Sequence, residues 1–184
     1  MKMDDLEEVT ADVVSRLERE QIPYMISGTI AGNYYGIPRS TSDLDLVVQL
    51  ARGDVQRVTQ LFEDDFVVSA EAIREAITHG TQFNLIHRRR VVKVDLILGK
   101  HDDFGEEEFS RRRRATIAGT EAWIISPEDL ILYKLVWSRS STSEMQLRDI
   151  QGLLMVQTQL DQDYLDRWAR RLGVQNRLAE ARGV

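Results

Sequence analysis

The chain has 184 residues, no cysteine and a formal net charge of −6. This length suits one compact α/β domain with a helical extension. The lack of cysteine excludes disulfides, thiol catalysis and Cys-ligated zinc, and the acidic balance argues against coating duplex DNA by charge alone.

An apolar share of 42% and a charged share of 29% are those of an ordinary globular protein, which sets aside disorder and coiled coil. The acidic start, Met1-Lys2-Met3-Asp4-Asp5, has no apolar segment of the secretory kind. No apolar run approaches the ~20 residues of a membrane helix. The expectation is a cytoplasmic protein with no membrane partner.

Leu6, Val9, Val13 and Leu17 recur at helical spacing, so the stretch after Asp4 is expected to be an amphipathic helix closed by Ile22-Pro23. Tyr24 to Ser27 then forms a short apolar strand ending at Gly28, followed by a short helix from Thr29 to Tyr35 that Gly36 and Pro38 terminate. Leu44 to Val48 is the next strand. Leu44, Leu46 and Val48 share one face, and Asp43 and Asp45 share the other.

Asp54 to Phe62 is predicted as a helix capped by Asp54, and Glu71 to Thr78 as another. Phe83 to Ile86 and Val91 to Leu98 are two strands joined through His87-Arg88-Arg89-Arg90 as a hairpin turn. In the second of them Val92, Val94, Leu96 and Leu98 face one way, Lys93 and Asp95 the other. Glu106 to Arg112 has helical character, and Arg114 to Ile117 with Glu121 to Ile125 suggests a second hairpin around Gly119.

From Pro127 onward the pattern is helix after helix. Ser126 supplies an N-cap, Pro127 the first helical position, Leu147, Ile150 and Leu154 a second helix, and Tyr164, Leu165 and Trp168 a third. The expected division is a core over 1–126 and a helical extension over 127–184 packed on it. Trp123, Trp137 and Trp168 are expected to fill the core and the helix interfaces. His79, His87 and His101 show no metal-ligand spacing.

The chemistry concentrates in one segment. Asp43-Leu44-Asp45 sets two carboxylates on one strand face, about 7 Å apart by strand geometry. Asp95 belongs to a second strand with the same alternation. If the strands are neighbours, three carboxylates converge. Oxygen ligands of this kind suit Mg²⁺, and transfer of a nucleotidyl group needs such a cation on the triphosphate. The plainer reading makes Asp43 a turn residue and Asp45 a solvated strand position.

Upstream, Ser27-Gly28-Thr29 lies at a strand-to-helix junction. There glycine lets backbone approach a ligand, amides face an anion, and two hydroxyls add donors. Its plainer reading is a tight turn in which Thr29 caps a helix.

Together these features resemble the nucleotidyltransferase superfamily related to DNA polymerase β. Its signature is a glycine turn, a short helix, Asp-x-Asp, and a later third Asp. Here these are Gly28-Thr29, Asp43-x-Asp45, and Asp95 within Lys93-Val94-Asp95-Leu96. The run Gly36-x-Pro38-Arg39-x-Thr41-x-Asp43 is similar to the branch holding AbiEii-type toxins, as is Ser126-Pro127-Glu128-Asp129 with Lys134, Arg139, Arg148 and Asp149. Where that branch often carries a further Asp three residues on, this chain has Gly152.

The resemblance implies an α/β fold with a mixed sheet flanked by helices and followed by helices. It also implies Mg²⁺ (or Mn²⁺) as cofactor. Asp43, Asp45 and Asp95 would be catalytic and metal-binding, with Ser27, Gly28, Thr29, Arg39, Thr41 and Lys134 on the nucleotide. Lys93, Arg148 and Asp149 would support them. The implied partners are an NTP and an acceptor hydroxyl on RNA (a tRNA end), protein or a small molecule. The alternative is a non-catalytic member of a toxin–antitoxin pair with a protein partner encoded nearby.

Read from the residues, Lys134 sits in a helix that is apolar nearly all round, so it needs a carboxylate or phosphate partner. Asp149 and the triphosphate both qualify. The blocks Arg88–Arg90 and Arg111–Arg114 are either solvated or helix-end charge, or they hold an RNA acceptor or triphosphate tail.

Overall fold

The computed structural model describes residues 3–90, 92–139 and 144–183. It opens with helix α1 (Met3–Arg19), whose Val9, Val13 and Leu17 are buried at the expected spacing. Strand β1 (Tyr24–Ile26), helix α2 (Gly28–Tyr34) and strand β2 (Asp43–Val48) follow. Next come α3 (Val55–Phe62), β3 (Phe66–Val67), α4 (Ala70–His79), β4 (Gln82–His87) and β5 (Lys93–Leu98). After α5 (Asp103–Ser110), the hairpin of β6 (Arg113–Ile117) and β7 (Thr120–Ile124) completes the strands, and α6 (Pro127–Trp137), α7 (Glu144–Val156), α8 (Gln162–Arg171) and α9 (Gln175–Arg182) end the chain.

The seven strands form one mixed sheet in the order β3-β4-β5-β2-β1-β7-β6. The arrangement that matters lies at its centre. β2 and β5 run parallel and in register, so that Asp43 lies beside Lys93 and Asp45 beside Asp95. The condition for convergence of the three carboxylates is thereby met. β1 pairs antiparallel with β2, and its last amide continues the ladder, Ser27 N donating to Asp45 O at 2.9 Å. The turn after β1 is thus tied to the strand that carries Asp45.

The core is made by the apolar faces of these strands, Leu44, Leu46, Val94 and Leu96 among them, closed by α1 and the C-terminal helices. No helix among the described residues is long and apolar enough to cross a membrane.

Several expectations change. Val91, expected to start the fifth strand, lies outside the described residues. β3 is two residues long and carries too little pattern to show in sequence. α9 is a further helix that sequence periodicity missed, because only Leu178 and Ala181 bury along it. Asp54 precedes α3 but does not cap it. Its carboxylate accepts the Ala51 amide at 2.8 Å and closes a single 3-10 turn instead. Trp168 is buried and Trp123 half-buried, but Trp137 is 50% exposed, because it stands at the mouth of a cleft.

Candidate active site

A cleft of about 340 Å³ opens where the sheet's centre meets α6 and α7. Gly28, Thr29, Arg39, Thr41, Asp43, Asp45, Asp95 and Lys134 line it, so eight residues named from sequence meet in one place.

The turn after β1 is fitted to its neighbour. Gly28 has φ +61°, and a Cβ there would lie 1.9 Å from Asp45 Oδ2. Only glycine satisfies both the left-handed backbone and the close carboxylate. Ser27 lies beneath the cleft. Its side chain is fully buried, Oγ has no hydrogen-bond partner among the described residues, and it does not line the cavity. Thr29 Oγ1 faces the cleft and accepts from the Arg39 guanidinium at 2.7 Å.

Arg39 rides on the loop between α2 and β2, and Asn33 holds that loop. The Asn33 amide donates to Arg39 O at 2.9 Å and accepts from Arg39 N at 2.8 Å. Asn33 was not named from sequence; its role depends on a contact six residues away that no periodic pattern encodes. Thr41 makes a local turn, its hydroxyl accepting the Asp43 amide at 3.1 Å, and Ser42 Oγ donates to Asp43 Oδ1 at 3.2 Å.

Asp95 is 8% exposed and braced on both oxygens. Lys93 Nζ donates to Oδ2 at 2.8 Å, and the Asn84 amide, in the orientation that satisfies both of its ends, donates its nitrogen to Oδ1 at 3.0 Å. Asp45 fares differently. Burial raises its pKa, the Asp95 and Asp43 carboxylates raise it further, and Lys93 and the Thr29 amide oppose them. Such a carboxylate is relieved by a cation.

Among the described residues no group of three His, Cys, Asp or Glu side chains closes into a ready-made metal cage. The donors nevertheless suit a hard divalent ion. They are all carboxylate oxygens, and Mg²⁺ is commonly held by one or two carboxylates with substrate phosphates and water completing the shell.

Lys134 is 6% exposed and donates to Asp149 Oδ2 at 2.8 Å, with Gln146 Oε1 at 3.4 Å. The same Asp149 oxygen receives Arg39 at 3.3 Å. One carboxylate on α7 therefore orients both cations of the cleft. Arg148 points elsewhere, exposed and paired with Glu144 at 3.1 Å. Gln82, Ile97, Tyr133, Trp137 and Gln146 also line the cleft and were not named from sequence, since amides and apolar groups carry no motif.

The arginine blocks lie outside the cleft. Arg90 bridges to Asp5 and Glu8 on α1, and Arg114 to Glu18. Arg111 joins Glu128 and Asp129 at 3.2 and 3.3 Å while covering the Tyr164 ring.

No protein-family model and no curated protein matches the sequence. Solved structures do match in shape. A nucleotidyltransferase-like protein from Paracoccidioides brasiliensis superposes with TM-score 0.58 at 20% identity, covering 98% of this chain and 93% of that one. The antibiotic-resistance factor ANT(2'')-Ia gives 0.61 at 11% identity, over 97% and 96%. The fold is that of the nucleotidyltransferases.

A lincosamide antibiotic adenylyltransferase, LnuA, solved with lincomycin bound, superposes with TM-score 0.55 at 15% identity, over 85% and 99%. These likenesses are to the wider nucleotidyltransferase fold and carry no preference for the AbiEii-type branch. Gly152, where that branch often has Asp, packs on the loop before β2. A Cβ at Gly152 would lie 2.6 Å from Ile37 Cδ1, so a larger residue would make the Ile37 side chain shift.

Proposed function

We propose that this chain transfers a nucleoside monophosphate from an NTP to an acceptor hydroxyl, with Mg²⁺ or Mn²⁺ held by Asp43, Asp45 and Asp95. One observation carries the reading: three carboxylates, a glycine turn and two oriented cations line a single cleft. A bound divalent ion supplies charge neutralisation on the triphosphate and makes the attacking hydroxyl more acidic.

The chain's own residues do the rest. Thr29 and Arg39, coupled at 2.7 Å, bind the terminal phosphates, and Lys134, held on the same Asp149 oxygen as Arg39, adds positive charge beside them. Asp149 orients both cations. Asp95, steadied by Lys93 and Asn84, takes the acceptor proton. The acceptor oxygen bonds to the α-phosphorus, the bond to the bridging oxygen breaks, and pyrophosphate leaves with that electron pair.

The test is direct. The protein is incubated with α-labelled NTPs, Mg²⁺ or Mn²⁺ and candidate acceptors, and NTP binding is titrated in parallel. Saturable NTP binding that Asp45→Asn removes is the expected result. Absence of NTP binding under either metal by the folded protein overturns the reading.

A further inference from the structure

Beside the cleft lies a second cavity of about 380 Å³, and the two share Gln82, Ile97, Tyr133 and Trp137 as a common wall. Ile97 is two residues along β5 from Asp95. Val47, Leu98, Phe104, Val136 and Leu172 make the remaining wall largely apolar. Set into it is Glu108 of α5, only 8% exposed, whose Oε1 is buried without a hydrogen-bond partner among the described residues.

An unpartnered carboxyl oxygen in an apolar pocket is costly, and its surroundings offer it little. Burial and the negative charge of Asp129 and Asp102 push Glu108 up to about 8, and only Lys100 opposes them. A donor brought in by a ligand would complete it.

The lining also says what the ligand is not. Among the described residues Lys100 is the one cationic side chain on the wall, which does not suit a polyanion such as RNA, and Glu108 is the one carboxyl, which does not suit a polycation. A cavity of this size holds a small molecule.

We infer that this cavity is the acceptor subsite, built for a small molecule with an apolar body and one hydrogen-bond donor, amine or hydroxyl, that meets Glu108. A hydroxyl at the molecule's other end would then meet Asp95 past the shared wall. The term acceptor rests on the nucleotidyl-transfer reading above, whereas the ligand chemistry rests on the cavity alone.

The experiment measures binding of phenethylamine, phenethyl alcohol, ethylbenzene and spermidine by ligand-observed NMR on the full chain, without nucleotide or metal. The amine or the alcohol binds saturably and at least about tenfold more tightly than ethylbenzene or spermidine, because only they satisfy Glu108 within an apolar pocket. Glu108→Leu erases that preference. Glu108→Gln, which keeps the shape, preserves it for the alcohol and loses it for the amine, and so tells the two donors apart even if the leucine variant misfolds.

No saturable binding, equal affinity for ethylbenzene, or a preference unchanged in both variants overturns the proposal. Asp45→Asn leaves probe affinity intact while removing NTP, so the two readings fail separately. Mutual exclusion of probe and ATP in the wild type overturns the acceptor assignment, because donor and acceptor must occupy the enzyme together.

Discussion

Two acidic clusters in this protein, one sealed in the core and one on the cleft wall, receive opposite treatment from their neighbours. At the root of α6, Asp129 is fully buried, and burial raises its pKa. Its surroundings then work the other way: Ser126 and Tyr164 hydroxyls donate to it, each at 2.5 Å, and Arg111 pairs with it at 3.3 Å. At the head of β2, Asp45 is also raised by burial, but its largest further influences are Asp95 and Asp43, which raise it again.

The first cluster is complete within the chain and fastens α5, α6 and α8 together. The second holds more negative charge than the chain balances, which is the condition of a site awaiting a cation. The two also differ in depth, Asp129 being sealed in the core and Asp45 half-buried on the cleft wall, but what separates their chemistry is their partners.

The largest effect expected from breaking this contrast is at the balanced cluster. Asp129→Ala leaves Arg111 facing Glu128 alone and strands the Tyr164 hydroxyl, so stability falls by about 3 kcal/mol or more, measured by urea unfolding. A loss below about 1 kcal/mol would remove the fastening role.

Asp45→Asn is expected to act in the reverse sense. Nucleotidyl transfer falls by roughly 10²- to 10³-fold, while the unfolding midpoint holds or rises because a like charge has been removed. Destabilisation on the scale of Asp129→Ala would mean that the two clusters do the same job.

Between these lies Gly28→Ala. A left-handed backbone at a residue with a Cβ and a contact of 1.9 Å on Asp45 together lead us to expect a stability loss of about 1–3 kcal/mol. Nucleotide affinity falls with it, because Asp45 is the group that must move. Calorimetric unfolding and NTP titration on one preparation check both halves.

Much of this was legible in advance for a physical reason. Asp43-x-Asp45 and Asp95 are visible because strand alternation turns a spacing of two into a shared face, and the apolar runs of β2 and β5 announce that both strands are buried. The parallel register that sets Asp45 beside Asp95 is tertiary, and no local pattern states it.

Lys134 could be read as needing a partner because a cation in an apolar helix is anomalous, but that Asp149 also holds Arg39 could not. Arg111 to Arg114 looked like one charge run, yet on folding Arg111 and Arg113 go to Glu128 and Asp129, Arg114 to Glu18, and Arg112 to the Phe109 carbonyl and the Trp123 ring. Asn33, Asn84 and Glu108 were invisible because their roles are single long-range contacts or, for Glu108, the lack of one.

Glu108 extends the comparison to a third case, a buried carboxyl with no hydrogen bond on Oε1 among the described residues and with Lys100 as its opposing charge. Its pKa stands near 8 in the folded protein against an ordinary 4.5. A carboxyl raised in this way binds its proton more tightly when folded. Its stabilising contribution is therefore complete below about pH 4.5 and is lost as pH rises through about 8.

Across that window the folded protein loses stability at up to about 1.4 kcal/mol per pH unit from this group. Asp45 and Asp129 are shifted in the same direction and add to the wild-type slope. The informative quantity is therefore the difference between wild type and Glu108→Gln. Urea unfolding between pH 5.5 and 7.5 should show the variant's stability falling less steeply than the wild type's. Parallel slopes would mean that Glu108 finds a partner in solution.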